Sequence, residues 1–186
     1  IEREVSGLRA LYDEHAGLQD RFVTLGRVTP KLAAQLGLTG MAGRASGIHI
    51  DLRRGLGWAP YEQLKFNIAS HCNGDVAARV LIRFEELFES LRLIREIAMR
   101  LPQGPVCAEI PDGALHGQSV GWVEGWRGEV LVALEVDQSA KIRRCHCHDP
   151  SWQNWPALEH AIIGDIVPDF PLINKSFNLS YSGQDV

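Results

Sequence analysis

One amphipathic stretch constrains this chain more than any other feature. Between residues 75 and 101, apolar side chains fall at Val76, Ala77, Val80, Leu81, Phe84, Leu87, Phe88, Leu91, Ile94, Ala98 and Leu101. That spacing lines one broad face of a helix with 3.6 residues per turn. Asn73 or Asp75 can cap its first free N–H groups, and Pro102 with Gly104 ends it. At ~1.5 Å per residue the helix runs roughly 40 Å. The opposite face carries Arg79, Arg83, Glu86, Glu89, Arg92 and Glu96. Arg83 with Glu86, Glu89 with Arg92, and Arg92 with Glu96 are spaced as favourable helix pairs. A helix this long in a chain of 186 residues is predicted to be the axis of a bundle.

Other elements are arranged around that axis. Val5, Leu8, Leu11, Leu18, Phe22 and Leu25 suit one face of a helix over 5–25, which Gly7 and Gly17 weaken. Thr29, Pro30 and Gly37 mark a short helix with an N-cap, a first-turn proline and a left-handed stop. Gly40, Gly43, Gly47, Gly55 and Gly57 make a structured loop region, within which Ile48–Leu52 alternates as a short strand would. Residues 119–123, 129–136 and 141–147 read as a small antiparallel sheet, separated by Gly125, Gly128 and the Asp137–Ala140 turn. A last helix is predicted at Pro156–Ile163, stopping at Gly164, and the tail from Pro168 reads as irregular. The fold class is α+β and mainly helical, a long-helix bundle with a small antiparallel β subdomain. It divides into a helical core with its glycine-rich loop (1–104), the β subdomain (105–148), and a helix with an irregular tail (149–186).

Composition removes several classes of function. With 19 Lys and Arg against 23 Asp and Glu, the net charge is −4, which does not suit a dedicated nucleic-acid binder. Four cysteines are too few for a disulfide-stapled secreted scaffold. The longest uninterrupted apolar run is Val130–Leu134, far short of the ~18 to 20 residues a membrane span needs. The first residue is Ile1, with no leader pattern after it. The expectation is a soluble, cytoplasmic piece of a longer protein, able to dock onto membrane subunits.

The residues that could carry chemistry are few. Cys145-His146-Cys147-His148 places four potential ligands in a row. On a strand, the cysteines face one side and the histidines the other, so the four cannot surround one ion. Structural zinc sites draw on two spaced ligand pairs, and Cys72 and Cys107 stand alone. The readings are a metal-binding module or a strand with two small buried thiols and two outward imidazoles. His71, Cys72 and Asp75 gather where the long helix begins, and capping explains that polarity without catalysis. Trp152 and Trp155 suit a binding surface or a loop anchor. Arg44, Arg53 and Arg54 could meet an anion or serve structure. No phosphate-loop fingerprint or Gly-x-Ser-x-Gly elbow is present.

Three stretches, taken in order, carry a resemblance. The first is Gly37-Leu38-Thr39-Gly40 with Arg44-Ala45-Ser46-Gly47-Ile48 and Asp51-Leu52-Arg53-Arg54. The second is Asn73-Gly74-Asp75-Val76-Ala77-Ala78-Arg79 with Arg83-Phe84-Glu85-Glu86 and Ser90-Leu91-Arg92. The third is Asp149-Pro150-Ser151 through Asn154-Trp155-Pro156, then Val167-Pro168-Asp169-Phe170-Pro171-Leu172-Ile173 and Ser176. Together they resemble the large subunit of membrane-associated NiFe hydrogenases of the formate-hydrogenlyase and hydrogenase-4 type. The homologous quinone-pocket subunit of respiratory complex I (NADH:quinone oxidoreductase) shares the first two. The match spans nearly the whole chain and about the C-terminal half of the family's large subunit.

The resemblance implies a long-helix bundle and a role in electron transfer at a membrane complex. Implied partners are the N-terminal half of the large subunit, an iron–sulfur small subunit that holds the cluster, membrane subunits and quinone. The location implied is the cytoplasmic side of the inner membrane, peripheral through those partners. Active members hold nickel and iron through two Cys-x-x-Cys pairs. The first belongs to the N-terminal half, and the second falls on Ser180 and Gly183 here. Serine is a poor substitute for a thiolate toward nickel, and glycine offers no side chain. The chain is therefore expected to lack the NiFe centre, to carry no cofactor of its own, and not to be a competent enzyme alone. A family Glu-x-Pro-Arg-Gly landmark reads Glu124-Gly125-Trp126-Arg127-Gly128. Trp126 stands in place of a proline that would fix φ. Arg127 matches the arginine beside the metal centre, and with Asp185 it is the candidate cavity residue. The alternative for Arg127 is a salt bridge closing the turn.

Overall fold

The computed structural model describes residues 1–105, 107 and 116–184. The axis is helix α6, Val76–Met99, as the stripe predicts. Asp75 caps it by accepting from the Ala78 N–H at 2.8 Å, and it also accepts from the Thr24 N–H at 2.8 Å. Before it come α1 (Glu2–Glu14), α2 (Ala16–Phe22), α3 (Pro30–Leu36), α4 (Gly40–Ala45) and α5 (Leu52–Gly55). After it come strands β1 (Gly117–Gly125), β2 (Gly128–Val136) and β3 (Ile142–His148). Helices α7 (Ser151–Ala161), α8 (Phe170–Phe177) and α9 (Tyr181–Gln184) close the chain.

Several expectations are corrected at this level. The helix expected over 5–25 is two helices, because His15 leaves helical geometry (φ −88°, ψ 86°) and its Nδ1 accepts from the Leu18 N–H, starting a new cap. The strand expected at Ile48–Leu52 does not form. Asp51 caps α5 through the Arg53 N–H at 3.0 Å, so a helical turn takes the segment. The glycine-rich loop holds the buried helix α4. The last helix begins at Ser151 rather than Pro156, and the proline lies inside it, where its missing N–H leaves one main-chain bond unmade. The irregular tail contains α8 and α9, with Asn178 in the left-handed region (φ 56°) between them. Thr29 and Gly37 cap α3 as predicted.

The core joins Leu25, Val28, Leu38 and Ala42 to Val76 of α6, Ala157 and Leu158 of α7, and Ile173 and Phe177 of α8. The first turn of α6, Val76 to Arg79, is buried all round, and so the predicted polar face fails at Arg79, which has no exposed surface. Its guanidinium donates to Ser176 Oγ (2.8 Å), the Gly74 carbonyl (2.7 Å) and the Gly26 carbonyl (2.9 Å). It also lies 4.0 Å from the Phe177 ring centroid. Burial pulls its pKa down to about 9, so it remains charged at neutral pH. Gly74 (φ 67°) admits this close approach, since a Cβ there would lie 1.8 Å from the Val28 carbonyl oxygen. The far end of α6 is different: Ile94, Met99 and Leu101 remain exposed.

The sheet has order β1-β2-β3 and is antiparallel throughout, with Trp126 and Arg127 forming the β1–β2 turn. Register puts Trp122, Leu131 and His148 on one face, with Val120, Ala133 and His146 beside them. The other face carries Gly121, Val132 and Cys147, with Ser119, Leu134 and Cys145 beside them.

Candidate functional site

The resemblance singles out a turn and a tail far apart in sequence, and the fold brings them together. At the turn, the Arg127 carbonyl packs on α4, where a Cβ on Gly40 (φ 60°) would lie only 2.0 Å from its oxygen. Asn154 of α7 links the turn, through the Arg127 carbonyl at 3.5 Å, to Thr39 at the start of α4. Its Oδ1 accepts from the Thr39 N–H at 3.0 Å, and its Nδ2 donates to the Thr39 carbonyl at 3.3 Å. The Arg127 side chain then reaches the tail, where Nε donates to the Asn178 carbonyl at 2.5 Å. Among the described residues it forms no salt bridge, so ion pairing does not close the turn.

The tail is held against α7. The Ser180 N–H donates to Ser151 Oγ at 2.9 Å, and Ser180 Oγ accepts from the Gly183 N–H at 3.0 Å. Ser180 thus spends its hydroxyl on capping α9. A Cβ on Gly183 would meet Asp149 Cγ at 2.7 Å and its Cβ at 2.9 Å. The first atom of any larger side chain at 183 therefore collides with the start of α7. Trp155 packs edge-on against Tyr181, 5.2 Å between centroids. Three buried polar atoms around this junction, Thr39 Oγ1, Trp152 Nε1 and Gln184 Oε1, have no hydrogen-bond partner among the described residues. Asp185 lies outside the described residues.

A second set of charged groups braces this site, and in it Arg44 and Arg53 take the structural role the sequence left open beside anion binding. Arg44 of α4 is 2% exposed. Its Nε donates to Glu86 of α6 at 2.5 Å, and its Nη1 donates to Glu124 of β1 at 2.9 Å and to the Ile50 carbonyl at 3.1 Å. Glu124 also accepts from the Leu52 N–H at 3.1 Å, and Arg53 grips Asp51 at 2.7 and 2.9 Å. Burial works to lower the Arg44 pKa, and the Glu86 and Glu124 carboxylates outweigh it and raise it. Burial raises the Glu86 pKa against the pull of Arg44. Burial would also raise Asp51, but Arg53 and Arg44 hold it low. The predicted Arg83–Glu86 pair does not form, because Glu86 turns to Arg44 and Arg83 donates to the Ser176 carbonyl at 2.7 Å. Glu89–Arg92 and Arg92–Glu96 do form, at 2.7 and 2.9 Å. Nothing in the local sequence flags Arg44, since its partners lie 42 and 80 residues away.

The remaining candidates disperse. His71 Nε2 lies 2.9 Å from Glu85, Cys72 is exposed, and Asp75 serves as a cap. The Arg54 side chain has no ion pair or hydrogen bond among the described residues, while its N–H donates to the Asp51 carbonyl at 3.1 Å. His146 and His148 pack edge-on against Trp152, at 5.9 and 5.6 Å between centroids, while the thiols expected to be buried, Cys145 and Cys147, are exposed on the opposite face of the sheet. Among the described residues, no three His, Cys, Asp or Glu side chains gather as a metal site.

With this geometry in view, the comparison with known proteins decides the family. Residues 1–119 and 113–185 match the family described as "Respiratory-chain NADH dehydrogenase, 49 Kd subunit". The chain belongs to that family. It is 30% identical over 168 residues to the carbon monoxide-induced hydrogenase of Rhodospirillum rubrum, covering 90% of this chain and 46% of the relative. It is 29% identical over 185 residues to formate hydrogenlyase subunit 5 of Escherichia coli strain K12, covering 100% of this chain and 32% of that protein. Against an NADH-quinone oxidoreductase subunit of Syntrophobacter fumaroxidans it is 34% identical over 158 residues, covering 83% of this chain and 42% of the relative. The chain thus spans less than half the length of these relatives. It is a large-subunit-type member of this oxidoreductase family, and its relatives are named as subunits of larger assemblies. No helix among the described residues is long and apolar enough to cross a membrane.

Proposed function

We propose that this chain forms one wall of a redox cavity in an electron-transfer complex of this family, and that the wall offers no ligands to a nickel–iron centre. The carrying observation is the repacked tail. Asp149 occupies the space where a side chain on residue 183 would begin, and Ser180 commits its hydroxyl to the α9 cap. These residues do not fit the nickel–iron group: a hydroxyl is a weak donor to a metal that prefers thiolate here.

Other observations agree with the cavity reading. Arg127 holds a positive charge beside the tail with no neutralising carboxylate among the described residues. Such a charge suits a polar electron acceptor such as a quinone, in keeping with the relatives named NADH-quinone oxidoreductase. The exposed Ile94, Met99 and Leu101 at the end of α6 suit packing by the N-terminal half of the large subunit. Electrons would come from an iron–sulfur cluster in the small subunit, with membrane subunits holding the assembly at the cytoplasmic face.

The test is to purify the complex from its native host through a tag on this chain and to measure metals per mole. An accompanying iron–sulfur subunit and no nickel are expected. Stoichiometric nickel overturns the reading of Ser180 and Gly183, and recovery of the chain without any iron–sulfur partner overturns the assembly.

A further inference from the structure

The Cys-His-Cys-His run plays no part in the cavity, and the structure divides it into two unequal halves. The histidines are engaged with Trp152. The cysteines share the other face of β3, exposed, with their sulfurs 3.8 Å apart. Their neighbours across the ladder are Leu134 and Val132, which offer no competing ion pair. We infer that Cys145 and Cys147 form a bidentate dithiolate site for a thiophilic d¹⁰ cation of the Zn²⁺, Cd²⁺ and Cu⁺ class.

Geometry supports a metal over a disulfide. Two thiolates at ~2.3 Å from a tetrahedral ion stand about 3.8 Å apart, which is the separation the strand already provides. A disulfide would have to bring the sulfurs to ~2.05 Å while the strand holds the Cα atoms about 6.7 Å apart, the outer edge of the disulfide range. The pair therefore resists internal oxidation and stays available to an ion. Soft sulfur donors select this class of metal. Binding of the ion as a dithiolate releases the thiol protons. Uptake should therefore strengthen as pH rises. Only two protein ligands converge here, so water, or the same pair from a second copy, completes the coordination.

The site is tested by titrating the reduced chain with Cd²⁺ and following thiolate-to-cadmium absorption, with metal counted per chain by mass. One Cd²⁺ per chain is expected, or one per two chains with dimerisation where a second copy's pair completes the shell. Cys145→Ser and Cys147→Ser should each abolish the absorption, while Cys72→Ser, Cys107→Ser and a His146→Ala/His148→Ala variant should keep it. Exposed cysteines tolerate serine, and far-ultraviolet circular dichroism of each variant checks that the sheet persists. Absorption that survives either Cys145→Ser or Cys147→Ser, absorption lost with the histidines, or no cadmium uptake by the folded wild-type chain overturns the inference. None of these outcomes bears on the cavity reading, which rests on nickel and on partner subunits.

Discussion

Replacing Arg44 with methionine tests whether the buried ion network braces the site. The change keeps an unbranched side chain of comparable length and removes three hydrogen bonds. Two of these go to carboxylates, Glu86 at 2.5 Å and Glu124 at 2.9 Å, and one to the Ile50 carbonyl. Bonds to charged groups are worth ~1.5–3 kcal/mol each, and a neutral one about 1. Methionine regains part of this through burial of its own side chain, and removing one partner of a buried pair ordinarily costs ~3–5 kcal/mol. We expect a loss of about 4 kcal/mol at pH 7.5 by urea unfolding. In a chain of this size that corresponds to a Tm lower by roughly 8–16 °C. The sign of the pH dependence follows from the carboxylates. Burial already raises Glu86 against the pull of Arg44. Without Arg44, the folded-state pKa of Glu86 rises further above its unfolded value. The folded variant then takes up protons as pH falls, so its deficit shrinks from pH 7.5 toward pH 5.5. An Arg44→Met/Glu124→Gln double variant should recover part of the loss at pH 7.5. A deficit below about 1 kcal/mol, or one equal at both pH values, would refute the reasoning.

Three further outcomes follow from the same geometry. Arg79→Lys keeps a charge but cannot reach Ser176, Gly74 and Gly26 together, and should lose at least about 2 kcal/mol in urea unfolding; an unchanged midpoint would contradict it. Gly74→Ala places a methyl 1.8 Å from the Val28 carbonyl oxygen in a left-handed backbone, and should cost at least ~2 kcal/mol by thermal melting, whereas Gly7→Ala, with nothing near its Cβ, should not destabilise. Asn154→Ala removes both bonds to Thr39 and should cost ~2–3 kcal/mol. Hydrogen exchange at the Thr39 amide should rise in that variant, and undiminished protection would argue against Asn154 as the clamp.

Where local chemistry decides conformation, the sequence was enough. The period of the α6 stripe, Asp75 as its cap, Thr29 and Gly37 bounding α3, and the glycines separating three alternating strands all act within a few residues. The resemblance likewise lay in contiguous motifs, so the family was legible from residues alone. Tertiary structure decided what depends on distant partners. Arg79 sits at a polar helical position, yet neighbours from residues 26, 74 and 176 enclose it and turn it into a buried hub. Arg44 gives no local sign of its role, because its carboxylates arrive from α6 and β1. Asp51 could extend a strand or cap a helix, and a cap needs no second strand to satisfy its bonds. The resemblance alone puts Ser180 and Gly183 at the family's second cysteine pair. Only the packing of the tail on α7 shows Asp149 standing where a side chain on residue 183 would begin, because that contact joins residues 34 apart in the chain.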